Sequence, residues 1–187
     1  MNLDKVLLFA NSGGAAIGLK LIEDYPELIE GAVLHEPAIM KVLPDADEWD
    51  KFINFVDHTY KEQGPFAAMK EFSRSLVGFN PGEDRQGVVG KEDGMIVELL
   101  EFFFAHEYSN ISNETPDIEK LKADNIPMVF IAGADSKDAY YGRTARVLAE
   151  KLDQPYGTVP GNHVSFRSEK KHEMVEALRD VLNNHFN

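Results

Sequence analysis

Lys5-Val6-Leu7-Leu8-Phe9-Ala10-Asn11-Ser12-Gly13-Gly14-Ala15-Ala16-Ile17-Gly18-Leu19-Lys20-Leu21-Ile22 reads as strand, sharp turn and helix. Val6 to Phe9 is a short unbroken apolar run that suits a strand buried on both faces, and from Ala15 onward Ala16, Leu19, Ile22 and Tyr25 recur at helical spacing. Ser12 stands between the two, with two glycines directly after it. A serine at the tip of so tight a turn holds its hydroxyl clear of both elements, in strained backbone, and needs small neighbours so that strand and helix do not collide. That is the geometry of a nucleophile elbow. The usual pattern is G-x-S-x-G, and Ala10-Asn11-Ser12-Gly13-Gly14 departs from it only by a small residue at the first position.

Working outward, Gly31-Ala32-Val33-Leu34 reads as the next parallel strand, closed by His35-Glu36-Pro37. From about residue 38 to 115 the pattern changes to amphipathic helices and turns. Helices are predicted over Asp45 to Gln63, capped by Asp45 or Asp47, over Phe66 to Val77, and over Met95 to His106, with turn-rich stretches at Asn80-Pro81-Gly82 and Gly87 to Gly94. A short helix follows over Pro116 to Ala123, with Pro116 in its first turn. Met128 to Ala132 is a buried strand, Tyr140 to Leu152 a helix, Tyr156 to Val159 a short strand, and Glu169 to His185 a final helix with Met174, Leu178 and Val181 inward. The βαβα alternation predicts an α/β fold with a mostly parallel sheet flanked by helices.

Three landmarks occur in order: the elbow at Ser12, the strand and turn of residues 31–37, and the late pair 126–135 and Val159-Pro160-Gly161-Asn162-His163. On these residues the chain resembles the α/β-hydrolase superfamily from its fifth core strand to its C-terminal helix. The resemblance implies a core formed by residues 1–37 and 116–187, with residues 38–115 inserted as a helical cap. In that family about four strands and a loop carrying one oxyanion donor precede the elbow. Here the elbow strand begins at Val6, so the expectation is a chain lacking roughly the first third of a usual member, leaving one apolar strand edge open. Either the sequence is a fragment or late start of a longer product, or the missing strands come from elsewhere.

The chemistry follows from the elbow. A serine hydroxyl is a weak nucleophile at neutral pH and needs a base. His163, on a loop after the last predicted strand, stands where the family carries its histidine. The family acid usually follows the seventh strand in a turn like G-x-x-D; here that turn is Gly133-Ala134-Asp135-Ser136, with Ser136 at the fourth position. Some relatives place the acid after the sixth strand, where this chain has Glu36. Glu36 is taken first and Asp135 second. Gly13 N–H is the expected oxyanion donor. Phe102, Phe103 and Phe72, with Phe104 and Phe79, are candidates to line an apolar acyl pocket, although an aromatic stripe at helical spacing also describes plain core.

The resemblance thus implies a serine hydrolase acting through an acyl-enzyme on a small uncharged ester or related carbonyl compound. Loss of one oxyanion donor costs on the order of a hundredfold or more in rate, so the chain by itself is expected to be nearly inactive. The competing reading is a non-catalytic module that pairs its open strand edge with another chain, including a second copy of itself.

The bulk numbers narrow the classes further. The 187 residues are 43% hydrophobic, ample for one globular core. A net charge of −13, from 32 acidic against 19 basic residues, repels phosphate backbones and anionic lipid, so neither nucleic acid nor membrane surface is an expected partner. No run of about eighteen apolar residues and no signal-like N-terminus is present, which predicts a soluble cytoplasmic protein. The absence of cysteine removes disulfides, thiolate metal sites and a cysteine nucleophile. His58, His106, His172 and His185 fall on predicted helices, no pair has zinc-site spacing, and no cofactor or metal is expected.

Overall fold

Strand β1 (Val6–Asn11) turns at a single residue into helix α1 (Gly13–Asp24), which returns the chain to β2 (Ile29–His35). The same logic repeats later: β3 (Met128–Gly133) leads through α7 (Tyr140–Leu152) to β4 (Tyr156–Val159). The four strands among the described residues are parallel and lie in the order β1-β2-β3-β4. The computed structural model describes residues 4–76, 94–167 and 169–186. Phe79 and the two turn-rich stretches around Pro81 and Gly87 lie outside them.

The sheet is sorted by its period of two. Ala32, Leu34, Met128, Phe130 and Ala132 face one layer, where Leu19 and Ile22 of α1 and Leu148 and Leu152 of α7 complete the main core. Val33, Val129, Ile131 and Val159 face the other side and meet Met174 of α8 (Lys171–Phe186). Helix α8 covers this second face only over the later strands, so Leu7 and Phe9 of β1 stay 41% and 39% exposed. The reading of Val6 to Phe9 as buried on both faces is corrected accordingly: β1 is covered on one face, and among the described residues it is an edge strand.

Between β2 and β3 the chain builds α2 (Ala46–Gln63), α3 (Pro65–Ser73), α4 (Gly94–Phe102), α5 (Tyr108–Ser112) and α6 (Ile118–Asp124). Helices α2 to α5 share an apolar cluster that includes Ile53, Val56, Phe104 and Tyr108 and reaches Tyr140 and Tyr141 at the start of α7. The single helix expected from Met95 to His106 is broken. A π-helical turn, Phe103–Glu107, joins α4 to α5. Such a turn inserts one residue into the helical repeat and rotates everything beyond it. Phe104 and Tyr108 thereby point inward, while Met95, Leu99 and Phe102 face outward.

Two helix starts also differ from the sequence expectation. Asp45 precedes α2, but its carboxylate is taken by Trp49 Nε1 at 3.2 Å and by Arg143, so it makes no capping bond. Helix α6 starts at Ile118, after Pro116, because Asp117 is the cap: its carboxylate accepts from the Lys120 N–H at 3.0 Å, while its own N–H donates to Glu23 at 3.0 Å. Among the described residues no helix is long and apolar enough to cross a membrane.

Candidate active site

The first site residue is placed by strain. Ser12 has φ 57° and ψ −128°, a conformation that costs about 1–3 kcal/mol for a residue with a side chain. It is held from both sides: its N–H donates to the His35 carbonyl at 3.0 Å, and its carbonyl accepts from Ala15 and Ala16 of α1 and from Ala38. The hydroxyl is thereby presented at the carboxyl end of the sheet. Gly13 is the first residue of α1, where backbone N–H groups have no partner within the helix, which leaves it available to an anionic oxygen. Of the small residues around the elbow, Gly18 is the one pressed against the strand; a Cβ there would lie 3.1 Å from Leu8 Cδ2 and 3.2 Å from Ala10 Cβ.

Glu36 leaves β2 with a second positive φ, 49°. Its N–H donates to Ile131 at 3.0 Å, and its carboxylate oxygen Oε1 accepts from the Gly133 N–H at 2.8 Å. His163 arrives on the loop after β4. That loop turns at Gly161, φ 89°, and crosses so close to Gly133 that a Cβ on Gly133 would lie 2.5 Å from the Gly161 carbonyl oxygen. Only glycine permits this approach.

These three elements bring together Ser12, Glu36 and His163. His163 Nδ1 lies 2.7 Å from Glu36 Oε2, and Nε2 lies 2.9 Å from Ser12 Oγ. A carboxylate beneath Nδ1 requires the ring proton there, which leaves Nε2 to accept from the serine hydroxyl. The Tyr141 ring packs on the imidazole with centroids 4.1 Å apart. Burial of Glu36 would push its carboxyl up, but the hydrogen bond from His163, the nearby His35 and the Ser136 hydroxyl outweigh it and hold the group below its ordinary value. The carboxylate is ionised at neutral pH.

Asp135 is not part of this cluster. Its side chain is 51% exposed and pairs with Lys170 Nζ at 2.6 Å. In the short helical turn after β3, Asp135 faces solvent, whereas Ser136 is wholly buried beside Glu36, close enough to favour the ionised carboxylate although without hydrogen-bond geometry. The position where the resemblance led us to look for an acid thus carries a hydroxyl facing the carboxylate of Glu36.

A cavity of about 220 Å³ opens beside Ser12, Gly13 and His163, walled by Phe72, Phe103, Tyr108, Ile111 and Tyr140. Phe72 and Phe103 lie in the expected wall. Phe102 does not: it is 55% exposed at the end of α4, its ring tilted against His106 with centroids 5.1 Å apart. Phe104 is buried against Tyr60 and Tyr108 instead of lining the cavity. Among the described residues the wall contributes no charged side chain. Among the described residues no group of three or more His, Asp or Glu side chains is placed to hold a metal ion.

Two neighbours of the site escaped the sequence reading. Asn11 and His35 end β1 and β2 directly before Ser12 and Glu36, and Asn11 Nδ2 hydrogen-bonds His35 Nδ1. Burial pushes the His35 imidazole down to about 4, only partly offset by Glu36, so it is neutral at physiological pH. The one available signal was a histidine at a position that strand alternation buries.

No family model matches the chain. It is 27% identical over 179 residues to the uncharacterized hydrolase YraK of Bacillus subtilis, an alignment that takes in 94% of this chain and 62% of YraK. Among solved structures, a thermophilic esterase from Thermogutta terrifontis superimposes with a TM-score of 0.69 at 19% identity, over 97% of this chain and 65% of the esterase. MGS-M2, an α/β-hydrolase enzyme from a Medee basin deep-sea metagenome library, gives 0.67 at 18% identity, over 95% and 65% of the two chains. The chain therefore spans a little under two thirds of the length of these relatives.

Proposed function

We propose that this chain, a member of the α/β-hydrolase superfamily, carries a serine hydrolase site in which Ser12 is the nucleophile, His163 the base and Glu36 the acid. The observation that carries the reading is the pair of contacts on one imidazole, 2.9 Å to Ser12 Oγ and 2.7 Å to Glu36 Oε2. His163 Nε2 takes the hydroxyl proton as Ser12 Oγ attacks a carbonyl carbon, and the resulting imidazolium faces the Glu36 carboxylate. The oxyanion is met by the Gly13 N–H. His163 then returns the proton to the leaving alcohol, and a water attacks the acyl-enzyme by the same route.

The described walls around Ser12, apolar and uncharged, support an uncharged ester or related carbonyl substrate, and the volume of about 220 Å³ favours a small one. On this reading the helices from α2 to α5 act as the cap over the site. The exposed Leu7 and Phe9 and the open edge of β1 favour a second reading, a binding module that adds a partner strand. A fluorophosphonate probe separates the two. It labels the chain but not its Ser12→Ala variant if the serine is activated; equal labelling of both, or none of either, refutes the catalytic reading.

A further inference from the structure

Asn11 and His35 are register partners across β1 and β2, and each is followed by a residue of positive φ, 57° at Ser12 and 49° at Glu36. The nucleophile and the acid thus leave the sheet side by side from one cross-strand pair. That pair has a direction. The Asn11 amide nitrogen can only donate, so His35 Nδ1 must accept, and the single proton of a neutral imidazole resides on Nε2. His35 Nε2 is buried, makes no hydrogen bond, and lies 3.9 Å from Glu36 Oε2. That is the same oxygen that binds His163 Nδ1.

We propose that His35 is a positioning residue of the site: Asn11 fixes its tautomer, and its Nε2–H dipole holds the Glu36 oxygen that orients His163. The inference rests on the reading of Ser12, His163 and Glu36 as a triad. At 3.9 Å the N–H is too far to compete with His163 for the carboxylate lone pair, yet in a wholly buried site its dipole stabilises the ionised acid. A cation in its place would neutralise the carboxylate and weaken its hold on the imidazolium. Burial of His35, which keeps it uncharged, avoids that. The groups facing the ring are Asn11, Glu36 and His163, with Phe166 edge-on at 5.5 Å between centroids.

Two substitutions divide the functions of the ring. His35→Gln sets an amide N–H where Nε2 stands; His35→Asn keeps an acceptor for Asn11 and leaves nothing facing Glu36. The rate of fluorophosphonate labelling of Ser12 is measured against pH for the chain and both variants, with thermal melting of each. His35→Asn is expected to label about 10–100-fold more slowly, with the acid limb of its profile moved to higher pH because Glu36 becomes easier to protonate. His35→Gln recovers the rate to within about fivefold and restores the limb. Equal profiles for the two variants, or losses that simply track melting temperature, overturn the proposal. Imidazole nitrogen shifts supply a readout independent of labelling: the proposal requires His35 to be protonated on Nε2 and bare on Nδ1, and the opposite tautomer overturns it. Failure of the parent chain to label would overturn the triad reading itself, an outcome distinct from equal behaviour of the two variants.

Discussion

Replacing Glu36 with glutamine tests the site at its most constrained atom. The carboxylate accepts twice, from the Gly133 N–H at 2.8 Å through Oε1 and from His163 Nδ1 at 2.7 Å through Oε2. Glutamine has one carbonyl oxygen and one NH₂ in the same space. A backbone N–H can only donate, so the carbonyl turns to Gly133 and the NH₂ faces His163. Nδ1 must then accept, the ring proton moves to Nε2, and Nε2–H points at Ser12 Oγ, 2.9 Å away, unable to take its proton. The opposite amide orientation sets two buried donors against each other at Gly133, at a cost of about 1–3 kcal/mol, so the unproductive tautomer dominates. A carboxylate-to-amide change of this kind in a serine protease triad lowers the rate by about four orders of magnitude, roughly 5 kcal/mol of barrier. Labelling by a fluorophosphonate probe is expected to slow by about a thousandfold or more, with a melting temperature close to that of the parent because shape and packing are kept. Labelling of Glu36→Gln within about tenfold of the parent, while Ser12→Ala stays unlabelled, would refute the assignment of Glu36 as the acid.

Asp135→Asn should change the labelling rate by less than about threefold, since it removes only an exposed partner of Lys170; a loss as large as that of Glu36→Gln would reinstate Asp135 as the acid. Gly133→Ala drives a Cβ into the Gly161 carbonyl and is expected to destabilise the fold by about 2 kcal/mol or more and to slow labelling by displacing the His163 loop, read by urea melts alongside the probe. Stability should also fall on acidification. His35 is lowered to about 4 from an ordinary 6.5, so between these values the unfolded chain takes up a proton that the folded chain refuses. Stability therefore drops as pH falls from about 6.5 to about 4, by up to about 3 kcal/mol, and then levels; urea titrations of the parent against His35→Gln isolate this slope, and its absence from the difference would contradict a buried neutral imidazole.

The sequence makes most of the sheet legible because its signals are local. An apolar run, a tight turn and a helical repeat are decided within a few residues, and Tyr140–Leu152 is read with the bounds it has in the structure. Ser12 and His163 are legible as candidates for the same reason: each lies in a turn whose small neighbours announce it. The carboxylate is another matter. Asp135 and Ser136 are adjacent, and which one points inward depends on the sense of a short helical turn that no spacing reveals. Phe102 is misread because Met95, Leu99 and Phe102 recur at helical spacing as an apolar face, and nothing in that spacing reveals that the face is exposed. The partnership of Asn11 with His35 is invisible in one dimension, since it exists only through the register of two strands 24 residues apart.

The placement of Glu36 at the end of β2 has an architectural consequence. Ser12 and Glu36 are delivered by one contiguous β1-α1-β2 unit, while the imidazole of His163 comes from the loop after β4. Everything spliced between β2 and β3 can therefore be lengthened, shortened or rewritten without altering the distance between the first two groups. What such remodelling puts at risk is the cavity wall supplied by Phe72, Phe103 and Tyr108, and the docking of the final loop. The hydrogen-bond chain from Ser12 through His163 to Glu36 then acts as a proofreader for the whole chain, formed only once its last quarter has found its seat.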